Sequence, residues 1–313
     1  IGEKLLWLGT HTISAQREPS WLSLAPYDRF ERGARRVSIG GMSRPLVVFD
    51  TETATTRGAP HLLELGAVRI EDGEITGHFE AFVRPQVAID EFARAIHGID
   101  DDMVRDARMA PEVIAAFLEF AGDDWLVAHN APFDANVLAF EAARHALTLS
   151  DAPLLDTVKL ARRYLPDSID HKLETLTAHL DIEVDVRHRA LADAVSCWKV
   201  LEACIERLVT SDSHCVGEAV FLELLARSGG RLTLRSAAPK TPRIPTRLRP
   251  LSHACRDRTQ VTLVYVEEGA PARLAVAPRL LFRMGERDYL EAECVRSGTV
   301  KTYRLDRVRR IVD

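Results

Sequence analysis

Asp50 and Glu52 stand two residues apart in Asp50-Thr51-Glu52, directly after the apolar run Leu46-Val47-Val48-Phe49. In an extended strand alternate side chains leave the same face, so both carboxylates would point one way. Two like charges side by side repel, and a divalent cation between them removes that repulsion. A third acid, Asp134, ends the run His129-Asn130-Ala131-Pro132-Phe133-Asp134. Pro132 suits the first helical position, which puts Asp134 in a first turn where the helix dipole favours an acid. A fourth, Asp193, follows His188 by five residues in His188-Arg189-Ala190-Leu191-Ala192-Asp193. On one helix these two would diverge by about 140°. They converge only if His188 sits in the loop before a helix and Asp193 in its early turns.

Each piece alone has a plainer reading. Asp-x-Glu is a common spacing, Asp134 could be an ordinary N-terminal helix acid, and His188 is flanked by Arg187 and Arg189 as a surface residue would be. Three such pieces in order, spread over about 140 residues, are what carries weight.

The elements that must position these side chains can be read from pattern. Residues 45–49 form a buried strand. Residues 62–70 and 75–83 are two further strands joined by Glu71-Asp72-Gly73-Glu74, a hairpin signal. Pro111 opens a helix to about Phe120, and Trp125–Ala128 is a short strand. Pro132 opens a helix to about Ala146, helices follow near 156–164 and 172–180, and a long one covers about 189–209. Residues 227–250 hold four prolines, seven basic residues and no acid, which reads as a linker or extended arm. Short runs at 260–266, 273–277, 288–294 and 300–305, with turns at Glu268-Gly269, Gly285 and Ser297-Gly298, suggest a small β-barrel or sandwich. Residues 1–43 show no clear periodicity and are a candidate for a disordered extension ahead of Met42. Leu5-Leu6-Trp7-Leu8 is too short for a signal-peptide core.

The composition, 46% apolar and 28% charged, is that of an ordinary globular protein, and no run reaches membrane-span length. Five cysteines without a C-x-x-C pair point to a reducing cytoplasm. The net charge of −5 hides an asymmetry. Residues 1–223 carry 22 Lys/Arg against 37 Asp/Glu, and residues 224–313 carry 19 against 9. An acidic, metal-binding body joined to a basic part that faces nucleic acid would look like this.

Together, Val47-Val48-Phe49-Asp50-Thr51-Glu52-Thr53, His129-Asn130-Ala131-Pro132-Phe133-Asp134 and His188-Arg189-Ala190-Leu191-Ala192-Asp193 resemble the three motifs of the DEDDh, or DnaQ-like, 3′→5′ exonucleases. Leu63-Glu64-Leu65-Gly66-Ala67-Val68, Ile96-His97-Gly98-Ile99 and Leu155-Asp156-Thr157 also fit that pattern. The resemblance implies an α/β fold, a ribonuclease H-like mixed sheet flanked by helices, over residues 44–210. It implies Asp50, Glu52, Asp134 and Asp193 as ligands of two Mg²⁺ or Mn²⁺ ions, which suit hard carboxylate oxygens. It implies His188 as general base, a role that an imidazole titrating near neutrality can fill. Thr51, Thr53, His97, His129, Asn130 and Phe133 would contact substrate. The substrate class would be DNA 3′ ends, single-stranded first, with RNA the close rival. One departure stands out: the family commonly has glycine after Asp-x-Glu-Thr, and here Ala54-Thr55-Thr56 intervenes before Gly58.

The C-terminal runs Val261–Tyr265, Pro278–Leu281, Tyr289–Ala292 and Tyr303–Val308 resemble a WYL domain, with Asp288-Tyr289-Leu290 where the name-giving triplet would be. That implies a small Sm-like β-barrel over 251–313, following a helix and basic Pro-rich linker at 211–250. Tyr289, Arg304 and Arg307 become candidate contacts to nucleic acid or a small ligand. A non-catalytic nucleic-acid-binding or ligand-sensing regulator is the rival of another class. The basic arm and barrel are expected to be separable from the chemistry by a cut near residue 210.

Overall fold

The computed structural model describes residues 44–184, 188–267 and 269–312, with the backbone of Leu22–Ser23. Expectations about the rest of residues 1–43, and about Glu268, lie outside these residues. The first sheet has the order β1-β4-β3-β2-β5-β6. Its strands are β1 (Leu22–Ser23), β2 (Leu46–Thr53), β3 (Leu62–Glu71), β4 (Glu74–Phe82), β5 (Trp125–Ala128) and β6 (Leu154–Asp156). β2 pairs antiparallel with β3 and parallel with β5, so the sheet is mixed. The hairpin at residues 71–74 forms as expected: Asp72 (φ 51°) and Gly73 (φ 86°) both take the left-handed conformation that a two-residue connection requires.

Helices cover both faces of this sheet, which is why Leu46-Val47-Val48-Phe49 is apolar throughout. Leu46 and Val48 pack into a cluster with α5 (Thr157–Tyr164), α6 (Leu173–His179), α7 (Ala190–Ser211) and α8 (Glu218–Arg227). Val47 and Phe49 pack into the opposite cluster with α3 (Ala110–Ala121) and α4 (Ala131–His145). The alternation continues along β2. Asp50 and Glu52 therefore fall on the α7 side and Thr51 on the α4 side. Two short helices, α1 (Glu91–His97) and α2 (Asp101–Val104), precede α3 and are not evident in the sequence pattern.

The expected cut near residue 210 is not supported. Cys215, Val220, Phe221 and Leu224 belong to the first core cluster and Leu234 to the second, all buried. Leu232 O accepts a hydrogen bond from Leu154 N at the β6 edge (2.9 Å). The Pro-rich stretch is likewise no free arm. Arg235 donates to Leu149 O and pairs with Asp151, while Arg247 donates to Val308 O and Arg309 O. Leu232, Leu234 and Leu248 alternate with these basic residues, and burying them fixes the segment to the two cores it connects.

The second unit begins with α9 (Pro250–Asp257) and contains β7 (Val261–Tyr265), β8 (Ala272–Met284), β9 (Arg287–Cys294), β10 (Val300–Arg304) and β11 (Val308–Val312). All pairings are antiparallel, in the order β10-β9-β8-β7-β11. Of the expected small β-barrel, this shows the five antiparallel strands: among the described residues the edge strands β10 and β11 are not paired with each other. β8 is also far longer than the run at 273–277, because Pro278 falls at a register shift that the strand passes through.

Candidate active site

Asp50 and Glu52 lie near the end of β2, facing Gly66 and Glu64 across the β3 ladder. Gly66 carries the geometry. A Cβ there would fall 2.1 Å from Leu191 N and 2.3 Å from Ala190 C, so any other residue would push the first turn of α7 off the sheet. Glu64 then locks that turn. Its fully buried carboxylate accepts from Arg189 Nη2 (2.6 Å) and Ala190 N (3.0 Å). An acid at a helix N-terminus is favoured by the dipole and satisfies an otherwise unpaired N–H. The close approach brings Asp193, in the first turn of α7, to the two acids of β2.

His188 precedes α7, in the left-handed conformation (φ 55°), and is exposed. One ligand atom from each of Glu52, His188 and Asp193 lies within 4.8 Å of the others. The sequence-level condition is thus met, with the imidazole in the loop and the acid in the first turn. Asp134 arrives from the other side of the sheet. It is buried in the first turn of α4, and its Oδ1 accepts from Thr51 N (3.0 Å) and Thr51 Oγ1 (2.7 Å).

The electrostatics are those of acids gathered closely enough to raise one another. Burial, then the charges of Asp134, Asp193, Glu52 and Glu64, raise the Asp50 carboxyl well above the usual range. Burial, followed by Asp193, Glu64 and Asp134, pushes Glu52 up to about 8, and Arg189 offsets only part of this. Burial also raises Asp134, against the two hydrogen bonds from Thr51. Among the described residues, Arg189 is the cation that offsets part of the charge on Glu52. Divalent ions with oxygen ligands fit such a donor set.

Of the residues expected to contact substrate, four have internal partners. The Thr51 hydroxyl donates to Asp134. The Thr53 hydroxyl donates to Thr55 O (3.0 Å). His97 Nδ1 accepts from Ile99 N (3.0 Å), and its Nε2 meets Thr53 O (3.3 Å). His129 Nδ1 meets Thr157 Oγ1 (2.8 Å) and its Nε2 meets His171 O (3.0 Å). Burial lowers the pKa of both His97 and His129. Asn130 and Phe133 are exposed at the start of α4, Phe133 by 46%. In the second unit Tyr289 stacks on Phe282 (5.4 Å), and Arg304 pairs with Asp306 (Nε to Oδ1 3.1 Å). Asp156 was noted only as part of a pattern. It caps α5 through Val158 N (3.1 Å) and accepts from Asn130 N (3.2 Å), so it shapes the loop ahead of Asp134.

The RNase T exonuclease family model matches residues 47–201, and the WYL domain model matches residues 246–312. The PolC-type DNA polymerase III of Oceanobacillus iheyensis is 40% identical over 167 residues, covering 53% of this chain and 12% of that protein. The chain thus corresponds to about an eighth of the length of that relative. A solved structure of exonuclease X with 5′-overhanging duplex DNA is 28% identical and covers 56% of this chain and 99% of its own, at a TM-score of 0.42. One of exonuclease I is 16% identical, with a TM-score of 0.50, covering 80% of this chain and 55% of its own, a likeness of fold. No described helix is long and apolar enough to cross a membrane. With its acids on β2, α4 and α7 and its histidine ahead of α7, the chain carries an RNase T exonuclease domain of the DEDDh, DnaQ-like type at residues 47–201 and a WYL domain at residues 246–312.

Proposed function

We propose that this protein is a metal-dependent 3′→5′ exonuclease that releases nucleoside 5′-monophosphates from DNA 3′ ends, single-stranded ends first. The observation that carries the reading is the meeting of Glu52, His188 and Asp193 within 4.8 Å beside the half-buried Asp50. Asp50, Glu52, Asp193 and Asp134 would hold two Mg²⁺ or Mn²⁺ ions. When bound, such ions acidify water and neutralise charge on a leaving oxygen.

The chain's own groups do the rest. His188, exposed and at the mouth of the cluster, takes the proton of the attacking water at an imidazole nitrogen. Thr51 holds Asp134 in one orientation through two hydrogen bonds. Asn130 and Phe133 offer the terminal nucleotide an amide and an aromatic face, and base stacking of that kind is worth about 1–3 kcal/mol. DNA is favoured over RNA by the PolC-type DNA polymerases among the relatives. The basic excess of residues 224–313 supports a further contact with the strand's phosphates. A bacterial cytoplasm is the setting we assign.

The test uses 5′-end-labelled DNA and RNA oligonucleotides, single- and double-stranded, with Mg²⁺ or with EDTA. We expect a ladder shortening from the 3′ end of single-stranded DNA, free mononucleotides, and no reaction in EDTA. Internal cuts, or full activity in EDTA, would overturn the proposal. Faster loss of RNA would transfer it to that substrate.

A further inference from the structure

The segment that leaves the acidic cluster is held from two sides. On the exonuclease side, Asp90 Oδ2 accepts from Thr56 Oγ1 (3.0 Å), and Asp90 N donates to Ala54 O (2.8 Å). Ala54 N donates to His61 O (2.8 Å), which closes residues 54–61 into a loop between β2 and β3. On the other side stands the C-terminal sheet. Ala59 packs in a small cluster with Phe140 of α4 and Phe282 of β8, whose rings meet edge-on at 5.1 Å. A Cβ on Gly58 would lie 3.9 Å from Thr302 Oγ1 on β10.

Between these layers lies a buried guanidinium. Arg144, near the end of α4, donates from Nε and Nη2 to the two oxygens of Glu291 on β9, each at 2.8 Å. Its Nη1 donates to Pro60 O (2.7 Å) and also faces Glu141 Oε1 (3.1 Å). His61 Nε2 sits 3.3 Å from Glu291 Oε2. The side chains of Arg144 and Glu291 are 3% and 1% exposed.

We infer that Glu291 is a positioning residue for the exonuclease: through Arg144 it fixes residues 54–61, so the WYL domain completes the wall beside Glu52. This rests on the exonuclease reading above. A guanidinium presents its donors in a fixed planar fork. With Nε and Nη2 taken by the Glu291 carboxylate, Nη1 is aimed at Pro60 O. Without that carboxylate the charge partner left to Arg144 among the described residues is Glu141 on its own helix. Turning further toward Glu141 releases Pro60 O and leaves the C-terminal sheet's hold on the loop to the apolar contact of Ala59 with Phe282. The displacement would be felt close to the site, because the loop runs from Thr53 to Leu62, which are register partners at the end of the β2–β3 ladder. None of the five metal-site residues touches this network, so its loss would act on how the 3′ end is seated.

The test compares full-length wild type with Glu291→Gln, which keeps the shape and removes the charge. Val276→Ala, which loosens the core of the C-terminal sheet and leaves both the ion pair and the loop contacts, is the control. Each is assayed for kcat and KM on a single-stranded oligonucleotide at saturating Mn²⁺, for Mn²⁺ binding, and for hydrogen exchange of residues 54–61. Glu291→Gln should raise KM by about ten-fold with kcat and Mn²⁺ binding within about two-fold, because a misplaced seat weakens substrate placement. Exchange in the loop should quicken while that of β2 stays slow. Val276→Ala should lower the melting temperature with KM unchanged. A role in stability alone would lower the active fraction, seen as kcat, in both variants at constant KM, and would overturn the inference. Unchanged exchange at residues 54–61 in Glu291→Gln would also overturn it. Exchange needs no turnover, so a wild type without nuclease activity would refute the functional reading separately.

Discussion

Two clusters of charge lie at either end of the loop 54–61, and they solve the same problem in opposite ways. Asp50, Glu52, Asp134 and Asp193 bring four acids together, and the carboxyls of Asp50, Glu52 and Asp134 are pushed up, Glu52 to about 8. Glu291 is at least as buried, and burial alone would raise it. Hydrogen bonds and charge from His61 and Arg144 outweigh that and hold it down at about 2. Glu141 is likewise lowered against its burial, by His145, Arg144 and His61. The Arg144–Glu291 network brings its own counter-charge and serves as structure. In the acidic cluster like charges raise one another, a repulsion that a divalent ion would relieve.

The sharpest way to break this contrast is to remove its centre. Asp50→Ala should reduce hydrolysis to background, since no neighbouring acid can occupy the same strand position. In EDTA the same substitution should raise the melting temperature, because it deletes a carboxylate that repels its neighbours. A variant that retains activity, or that melts lower in EDTA, would contradict the role given to Asp50. His188→Ala should lower kcat by about 10²–10⁴-fold, the usual worth of a general base, with Mn²⁺ binding largely retained. A much smaller loss at saturating metal would mean that another group takes the proton.

The structural cluster should respond in stability. Arg144→Met leaves Glu291 and Glu141 buried without their main partner, a defect that typically costs about 3–5 kcal/mol. Denaturant unfolding measures it, and a loss below about 1 kcal/mol, typical of exposed pairs, would mean that water already reaches the pair.

The smallest effect separates the two clusters by the sign of their pH dependence. Glu52 has its folded value, about 8, above its ordinary 4.5. Across that window the folded protein binds the extra protons, so this site loses stability as pH rises from about 5 to 8. Glu291, with a folded value near 2, contributes stability that is fully present above 4.5 and is lost as pH falls toward 2. Melting temperatures in EDTA should therefore decline between pH 5 and 8. Mg²⁺ at about a hundred times its Kd should restore about 2.7 kcal/mol, more fully at the upper end where the ligands are deprotonated. A flat profile in EDTA would contradict the raised carboxyl of Glu52.

Much of the catalytic end was legible because its constraints are local. Alternation along Leu46-Val47-Val48-Phe49-Asp50-Thr51-Glu52 fixes which side chains share a face, and five-residue spacing alone requires His188 to precede the helix of Asp193. What holds these pieces together is not local. Gly66 reads as one small residue in an apolar strand, and only the tertiary contact shows that it admits α7. Thr51 reads as a substrate contact until Asp134 arrives from α4. Glu64 and Arg189 are 125 residues apart. The stretch 211–250 was misread for a related reason. Prolines and arginines dominate its composition, but the sparse Leu232, Leu234 and Leu248 decide where it lies. Strand spacing likewise announced the C-terminal strands but says nothing about whether their edges meet.

The central claim is that the acidic cluster is completed by divalent ions. Calorimetric titration of the metal-free protein with Mn²⁺ near pH 7, in two buffers of different ionisation enthalpy, tests it most directly. The account predicts two ions bound per chain, protons released on binding because Glu52 and its neighbours are still protonated, and at least one ion lost in Asp50→Asn. Absence of binding, or binding without proton release and unchanged in Asp50→Asn, would contradict it.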